Sequence, residues 1–374
     1  MRHLAQTVVV ALSATLAACA GAKSADLARL TLPPGFRIEV YATNVPGARE
    51  LALGANGTVF VGSREEGNVY ALVDADRDNR AERIVVLAKG LDQPSGIAFR
   101  DGDLYIGAIS RILKLPAIES HLDSPPKPDV VTDKLPAEDH HGWKFIAFGP
   151  DGRLYVPIGA PCNVCEPDKA HAKIISMKPD GSDWQDVALG VRNSVGFDWQ
   201  PGSKELWFTE NGRDMLGDER PSDELNRVTK PGEHFGFPYC HQGDTPDPDF
   251  GKGKSCADYA PPVLKLGAHV ASIGMRFYTG TMFPEPYRNA IVIAEHGSWN
   301  RSKKSGYRVM SVRLDGARVV EYAPLVDGFQ HDEKTSGRPA DVMVMPDGAL
   351  LIADDYTGAV YRLSYGAPGA ARKP

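Results

Sequence analysis

Phe145-Ile146-Ala147-Phe148-Gly149-Pro150-Asp151-Gly152-Arg153-Leu154-Tyr155-Val156 is the stretch on which the fold reading turns. An apolar run meets Pro-Asp-Gly, and a second apolar run follows. Asp-Gly supplies the positive φ angles that a tight hairpin turn demands. Both runs are apolar at most positions, as expected of strands covered on two faces.

The same unit recurs along the chain. Upstream stand Leu51-Ala52-Leu53 with Thr58-Val59-Phe60-Val61, then Gly96-Ile97-Ala98-Phe99 with Leu104-Tyr105-Ile106-Gly107. Downstream stand Val195-Gly196-Phe197 with Leu206-Trp207-Phe208, then Ile273-Gly274-Met275-Arg276-Phe277 with Ala290-Ile291-Val292-Ile293-Ala294. The last copy is Asp341-Val342-Met343-Val344, Pro346-Asp347-Gly348, Leu350-Leu351-Ile352-Ala353. The first four copies lie about 45–50 residues apart, a period that fits four-stranded propeller blades. The sequence thus predicts an all-β, six-bladed β-propeller with four-stranded blades, spanning residues 32–365, with a short tail at 366–374. A two-sheet sandwich would use similar turns but does not account for six matching hairpins. Wider spacing after the fourth and fifth copies implies long insertions, for example Asn211–Lys265. The 374 residues carry 38 Gly and 29 Pro. That is about half as much again as ordinary usage, and suits many short strands joined by turns. A net charge of −6 provides no basic footprint for nucleic acid.

Residues 1–24 read as an export signal, with Arg2 and His3 ahead of an apolar run from Val8 to Ala18. The run is too short to span a bilayer. Leu16-Ala17-Ala18-Cys19 resembles a bacterial lipobox, which makes Cys19 the lipidated first residue; the alternative is cleavage near Ala22 to Ser24. The expected location is periplasmic, with membrane contact only through that anchor. Export favours disulfides. The simplest pairing is Cys162 with Cys165 and Cys240 with Cys256. A four-cysteine zinc site competes with it, because sequence alone does not fix connectivity.

A propeller orders space. The first strand of each blade lines the central channel, and the second returns to the starting face. Residues before first strands and after second strands therefore share one channel mouth. They include Arg64, Gln93, His140, His141, Arg192, Asn193, Cys162 to Cys165, Asn211-Gly212-Arg213, Arg338, and His296 through Lys304. The opposite face receives mostly Pro-Asp-Gly turns. Each cation alone reads as a solvated surface charge. Several at equivalent sites imply an anionic ligand, because Arg forks pair with carboxylates or phosphates. Asp214, Asp218, Asp223 and Glu224, after Asn211-Gly212, offer oxygens to a hard cation such as calcium. Asp74, Asp76 and Asp78, with Glu82, form a second acidic cluster. It resembles a calcium loop, although Asn79 stands where an EF-hand has Gly; a solvated hairpin tip is the plainer reading.

These residues resemble the soluble glucose, aldose and sorbosone dehydrogenases that use pyrroloquinoline quinone (PQQ), most closely the sorbosone dehydrogenase-like branch. The motifs that carry the resemblance are His141-Gly142-Trp143-Lys144, Gly190-Val191-Arg192-Asn193, Thr209-Glu210-Asn211-Gly212, His296-Gly297-Ser298-Trp299-Asn300-Arg301 and Gly337-Arg338-Pro339-Ala340-Asp341-Val342. The resemblance implies oxidation of a sugar with PQQ and calcium (Ca2+), with His141 as general base. Arg192 and Asn193 then meet the reactive quinone edge. Lys304, or Arg301 in its place, and Arg338 hold the cofactor's carboxylates. Backbone carbonyls of Asn211, Gly212 and Arg213 hold the calcium. Electrons pass on to an acceptor that the sequence does not name. Two positions depart from the family. Ala160 stands where the glucose dehydrogenases orient the base with Asp, leaving Asp139 or Asn163 as stand-ins. Ala340 stands where they carry a second Arg on the cofactor. Two other classes use such propellers: metal-dependent lactonase-type hydrolases and non-catalytic carbohydrate-binding modules.

Overall fold

The computed structural model describes residues 25–366. The export signal, Cys19 and most of the short tail lie outside the described residues. Six sheets form the blades of a propeller, each with four antiparallel strands and blade 3 with a fifth, parallel one. Each predicted hairpin supplies the two inner strands of one blade: Leu51–Leu53 with Val59–Val61, Gly96–Arg100 with Asp103–Gly107, Ala147–Phe148 with Leu154–Ile158, Phe197–Trp199 with Leu206–Glu210, Ser272–Phe277 with Ile291–Glu295, and Pro339–Val344 with Leu350–Asp354.

The ring is closed by the start of the chain. Phe36–Ala42 pairs with Ala359–Tyr365 as the outer strand of blade 6. Residues far apart in sequence thus share one sheet, and the ring has no free end there to fray. Sequence patterning does not mark this strand, because a single outer strand carries no hairpin signature. The expected insertion Asn211–Lys265 is also shorter than predicted. It contains the third strand of blade 4, Ser222–Arg227, and the start of the fourth, Leu264–Ala268. Between them, Glu233–His234 adds a parallel strand to blade 3, and Cys240–His241 forms a small hairpin with Thr245–Pro246. Both expected disulfides, Cys162–Cys165 and Cys240–Cys256, are present.

Side chains from inner strands stitch each blade to the next. The Glu50 carboxylate of blade 1 accepts N–H bonds from Ile97 of blade 2 (2.8 Å) and Ile146 of blade 3 (3.0 Å). Asp341 of blade 6 accepts from Leu51 N of blade 1 at 2.9 Å. Asp198 of blade 4 accepts from Phe277 N of blade 5 at 2.8 Å. Arg276 of blade 5 sits among these acids, with Nη2 3.4 Å from Asp341 Oδ2 and 3.8 Å from Glu50 Oε1. Its guanidinium lies 4.7 Å from the Phe145 ring centroid of blade 3. One largely enclosed cation thus faces the buried Glu50 and Asp341 and the part-buried Asp198. Desolvation, then Asp341, pushes the Glu50 carboxyl well above the usual carboxylate range.

Arg276→Met should destabilise the protein by about 3–5 kcal/mol, because it leaves buried carboxylates unpaired. Glu50→Gln keeps an oxygen for both N–H bonds and should cost far less. A raised carboxyl contributes stability that is full below the usual carboxylate range and is lost as pH climbs through the raised value. Chemical denaturation across pH should therefore show a shallower decline towards alkaline pH in Glu50→Gln than in the parent.

Candidate active site at the channel mouth

A cavity of about 290 Å³ opens at the predicted mouth. His141, Arg192, Asn193, Asn211, Gly212 and Arg338 all line it. Three blade starts and one blade return bring them together. The walls also hold Arg49, Arg64, Trp143, His269, His296 and Trp299. Arg49 and His269 were not among the expected residues, although both closely precede first strands, where the repeat itself could have found them.

His141 is buried and adopts φ +52°. This left-handed backbone is uncommon for a side-chain-bearing residue. The ring is held by Nδ1, which lies 2.9 Å from the Ala160 backbone oxygen. That contact requires Nδ1 to carry the proton, so Nε2 keeps its lone pair. Neither Asp139 nor Asn163 holds the His141 ring, contrary to expectation; a backbone carbonyl does. The neighbour Gly159 permits this approach, since a Cβ there would lie 2.5 Å from His141 Cβ. Desolvation, then the Arg192 and His140 charges, holds the His141 imidazole well below the usual histidine range.

Arg192 is buried and fully engaged. Nε donates to Asn163 O (2.8 Å), and Nη2 to Asn163 Oδ1 (2.9 Å) and Asp214 Oδ2 (3.2 Å). Nη1 donates to Asn211 O (3.1 Å) and Gly212 O (2.9 Å). All five donors of the fork are spent. In this arrangement Arg192 acts on a ligand through its field, with no N–H left to give. Of the three carbonyls expected to hold calcium, those of Asn211 and Gly212 converge on one guanidinium nitrogen of Arg192. Arg213 does not join them at the cavity; its side chain is buried against Asp247, which also binds His241 Nε2 at 2.8 Å. Asp223 lines the cavity and is spent on backbone, accepting from Gly212 N (3.0 Å) and Ser272 N (2.9 Å).

Arg301 and Lys304 are the clearest departures from expectation. Arg301 Nη2 pairs with Glu219 at 2.7 Å, and Lys304 Nζ donates to Glu333 O at 2.6 Å. Neither lines the cavity. Surface acids close in space, but distant in sequence, have drawn both away. At the mouth, Arg49 Nη1 instead pairs with Asp355 at 2.7 Å, and Asp355 also meets His296 Nε2 at 2.8 Å. Arg64 lies over the Trp143 ring, 4.2 Å from its centroid. Trp299 stands at the rim, 71% exposed. Asp74, Asp76, Asp78 and Glu82 do cluster, with candidate ligand atoms within 4.8 Å of one another. They occupy the turn after the third strand of blade 1, on the face opposite the cavity. Their oxygens already accept N–H bonds from Ala75, Asp78 and Asn79.

Residues 127–362 match the family profile described as Glucose / Sorbosone dehydrogenase. The chain belongs to this family. A protein of Borreliella burgdorferi with no assigned function is 36% identical over 352 residues, covering 90% of this chain and 91% of that one. The aldose sugar dehydrogenase of Escherichia coli is 26% identical over 256 residues, or 62% of each chain. The holo form of the pyranose dehydrogenase PQQ domain from Coprinopsis cinerea superposes with a TM-score of 0.76 at 17% identity, covering 90% of this chain and 97% of that one. Membership makes the chain a sugar-dehydrogenase-type oxidoreductase.

Gly159→Ala should cost about 1–3 kcal/mol through overpacking against His141. Thermal denaturation would register the loss. An unchanged melting temperature would mean that the His141 loop is looser than this packing implies.

Proposed function

We propose that the protein oxidises a sugar, an aldose or a sorbosone-like aldehyde or hemiacetal, using PQQ and calcium. The observation that carries this reading is His141. Its Nδ1 is tied to a carbonyl and its Nε2 is free at a cavity walled by guanidiniums. The cavity suits the cofactor on two counts. Its cations match a planar polycarboxylate. Its convergent carbonyls of Asn211 and Gly212 are hard oxygen donors of the kind calcium takes. A calcium ion there would take over the contact now made by Arg192 Nη1, and that nitrogen would be released to donate elsewhere.

When bound, PQQ supplies the hydride-accepting quinone, and calcium polarises its carbonyl. The protein's own part is proton handling and placement. His141 Nε2 takes the hydroxyl proton of the sugar as general base, while hydride leaves the same carbon. The Ala160 carbonyl keeps the ring in the right tautomer. Arg192 and Asn193 face the site where negative charge develops; an oriented donor at such a position is commonly worth about 3–4 kcal/mol. The exposed Trp299 at the rim offers an apolar face to the sugar. The electrons then leave to a separate acceptor. Two disulfides support an exported, periplasmic protein, and Cys19 would tether it to a membrane if lipidated.

A hydrolase of the lactonase type is less well supported. Its metal would need carboxylates at the mouth, whereas Asp214 is paired with Arg192 and Asp223 is spent on backbone N–H groups.

Titration of purified protein with calcium and PQQ, followed by dye reduction on a panel of aldoses, sorbosone and polyols, tests the reading. Saturable PQQ binding with turnover is expected. His141→Ala should lose about 10²–10⁴-fold in turnover while still binding PQQ. Absence of PQQ binding with calcium present would sink the assignment. The base works only when neutral, and its pKa is lowered. The rate should therefore hold steady below the ordinary histidine value of about 6.5 and fall only in more acidic solution. An acid limb centred at or above that value would count against His141 in this environment.

A further inference from the structure

We propose that Arg49 and Arg64, the residues that open and close the inner hairpin of blade 1, join Arg338 in a three-guanidinium clamp for the carboxylates of the cofactor. This clamp takes the place of the arginine missing at Ala340. The inference rests on the PQQ reading above, and its test separates the two.

The three guanidiniums line one cavity and feel one another. The Arg64 guanidinium is lowered by desolvation and then by Arg49, with Arg338 contributing too. Arg338 is lowered by desolvation, and Arg49 adds to the effect. Among the described residues, the one carboxylate below half exposure that pairs with any of them is Asp355, on Arg49. His296 adds no charge to offset or reinforce it, because burial drives its imidazole down to about 4. The partner of Arg64 is Glu65, 3.0 Å away and 70% exposed, which screens it weakly.

Their donors are unevenly spent. Arg338 gives Nε to His296 O (3.0 Å) and Nη2 to Gly297 O (2.7 Å), and its Nη1 has no partner among the described residues. Arg64 gives Nε to Gln93 Oε1 (3.3 Å) and Nη2 to Glu65, which leaves its Nη1. Arg49 spends only Nη1, on Asp355. Each fork is thus anchored at one edge, which fixes its aim, and open at another. A neutral sugar has no need of three cations. A planar polycarboxylate does, and forks of this kind bind carboxylates in pairs of parallel bonds. Arg301 and Lys304, turned to Glu219 and Glu333, leave this end of the cavity to these three among the described residues.

The test is equilibrium binding, read from quenching of the tryptophans at the cavity, Trp143 and Trp299. Two ligands are titrated at fixed calcium: PQQ, and benzene-1,3,5-tricarboxylate, which has the charge without the quinone. Arg64→Gln and Arg49→Gln should each weaken both ligands roughly tenfold to a hundredfold, and flatten the salt dependence of binding. Arg64→Lys should recover part of the loss. Arg64→Gln is the decisive variant, because Arg64 is partly exposed and its loss strands no buried acid. Thermal melts confirm that each variant is folded. Affinities unchanged in Arg64→Gln and Arg49→Gln would overturn the clamp while leaving the PQQ reading intact. Tricarboxylate binding without PQQ binding would uphold the clamp and remove the cofactor assignment. Failure of the parent protein to bind either ligand would overturn both.

Discussion

Arg276 ties the ring together at its hub. Its guanidinium lies where the blades converge, reached by Glu50 of blade 1, Asp341 of blade 6 and the Phe145 ring of blade 3. Glu50 in turn receives backbone N–H groups of blades 2 and 3, and Asp198 ties blade 4 to blade 5. All six blades therefore meet at one small electrostatic cluster. Such a cluster is costly: two of its carboxylate oxygens, Glu50 Oε1 and Asp341 Oδ1, are buried without a hydrogen-bond partner. What it secures is register. An inner strand that slid by one residue would lose its N–H bond to the neighbouring carboxylate and leave that acid bare.

That register is what gives the mouth its geometry. Each first strand starts at a height set by the hub, so the residues just ahead of it are held at a common level. His141, Arg192, Arg338 and Arg49 are such residues. Their backbones are not regular. His141 has positive φ, and the Ala160 carbonyl and the lack of a side chain at Gly159 shape its seat. The site is thus built from irregular segments hung on a regular ring, the usual division between scaffold and chemistry. The two layers are electrically distinct as well. The hub is acidic around one arginine, and the mouth is dominated by guanidiniums.

Much of this was legible in the chain. Apolar runs flanking Asp-Gly turns identify hairpins by local chemistry, and six repeats of them leave little choice of architecture. The alternation of strand direction then sorts residues by face, which is why His141, Arg192, Asn193, Asn211, Gly212 and Arg338 can be grouped from the chain alone. Less visible was anything whose partner is remote in sequence. Phe36–Ala42 could not be assigned to blade 6, because its pairing partner lies more than 300 residues on. Arg301 and Lys304 are equivalent to the other mouth cations by position, and only the folded chain sets Glu219 and Glu333 beside them.

The ring, its blade count and the face that carries the chemistry are legible in the chain alone. These follow from turn geometry and strand period, which are local properties. Which charges are free and which are spent is settled by folding. It placed a backbone carbonyl behind His141 where no side chain could be read, consumed every donor of Arg192, and left open donors on Arg49, Arg64 and Arg338. The reason is physical. A charge is defined by its neighbours within a few ångströms, and in a propeller most of those neighbours come from another blade.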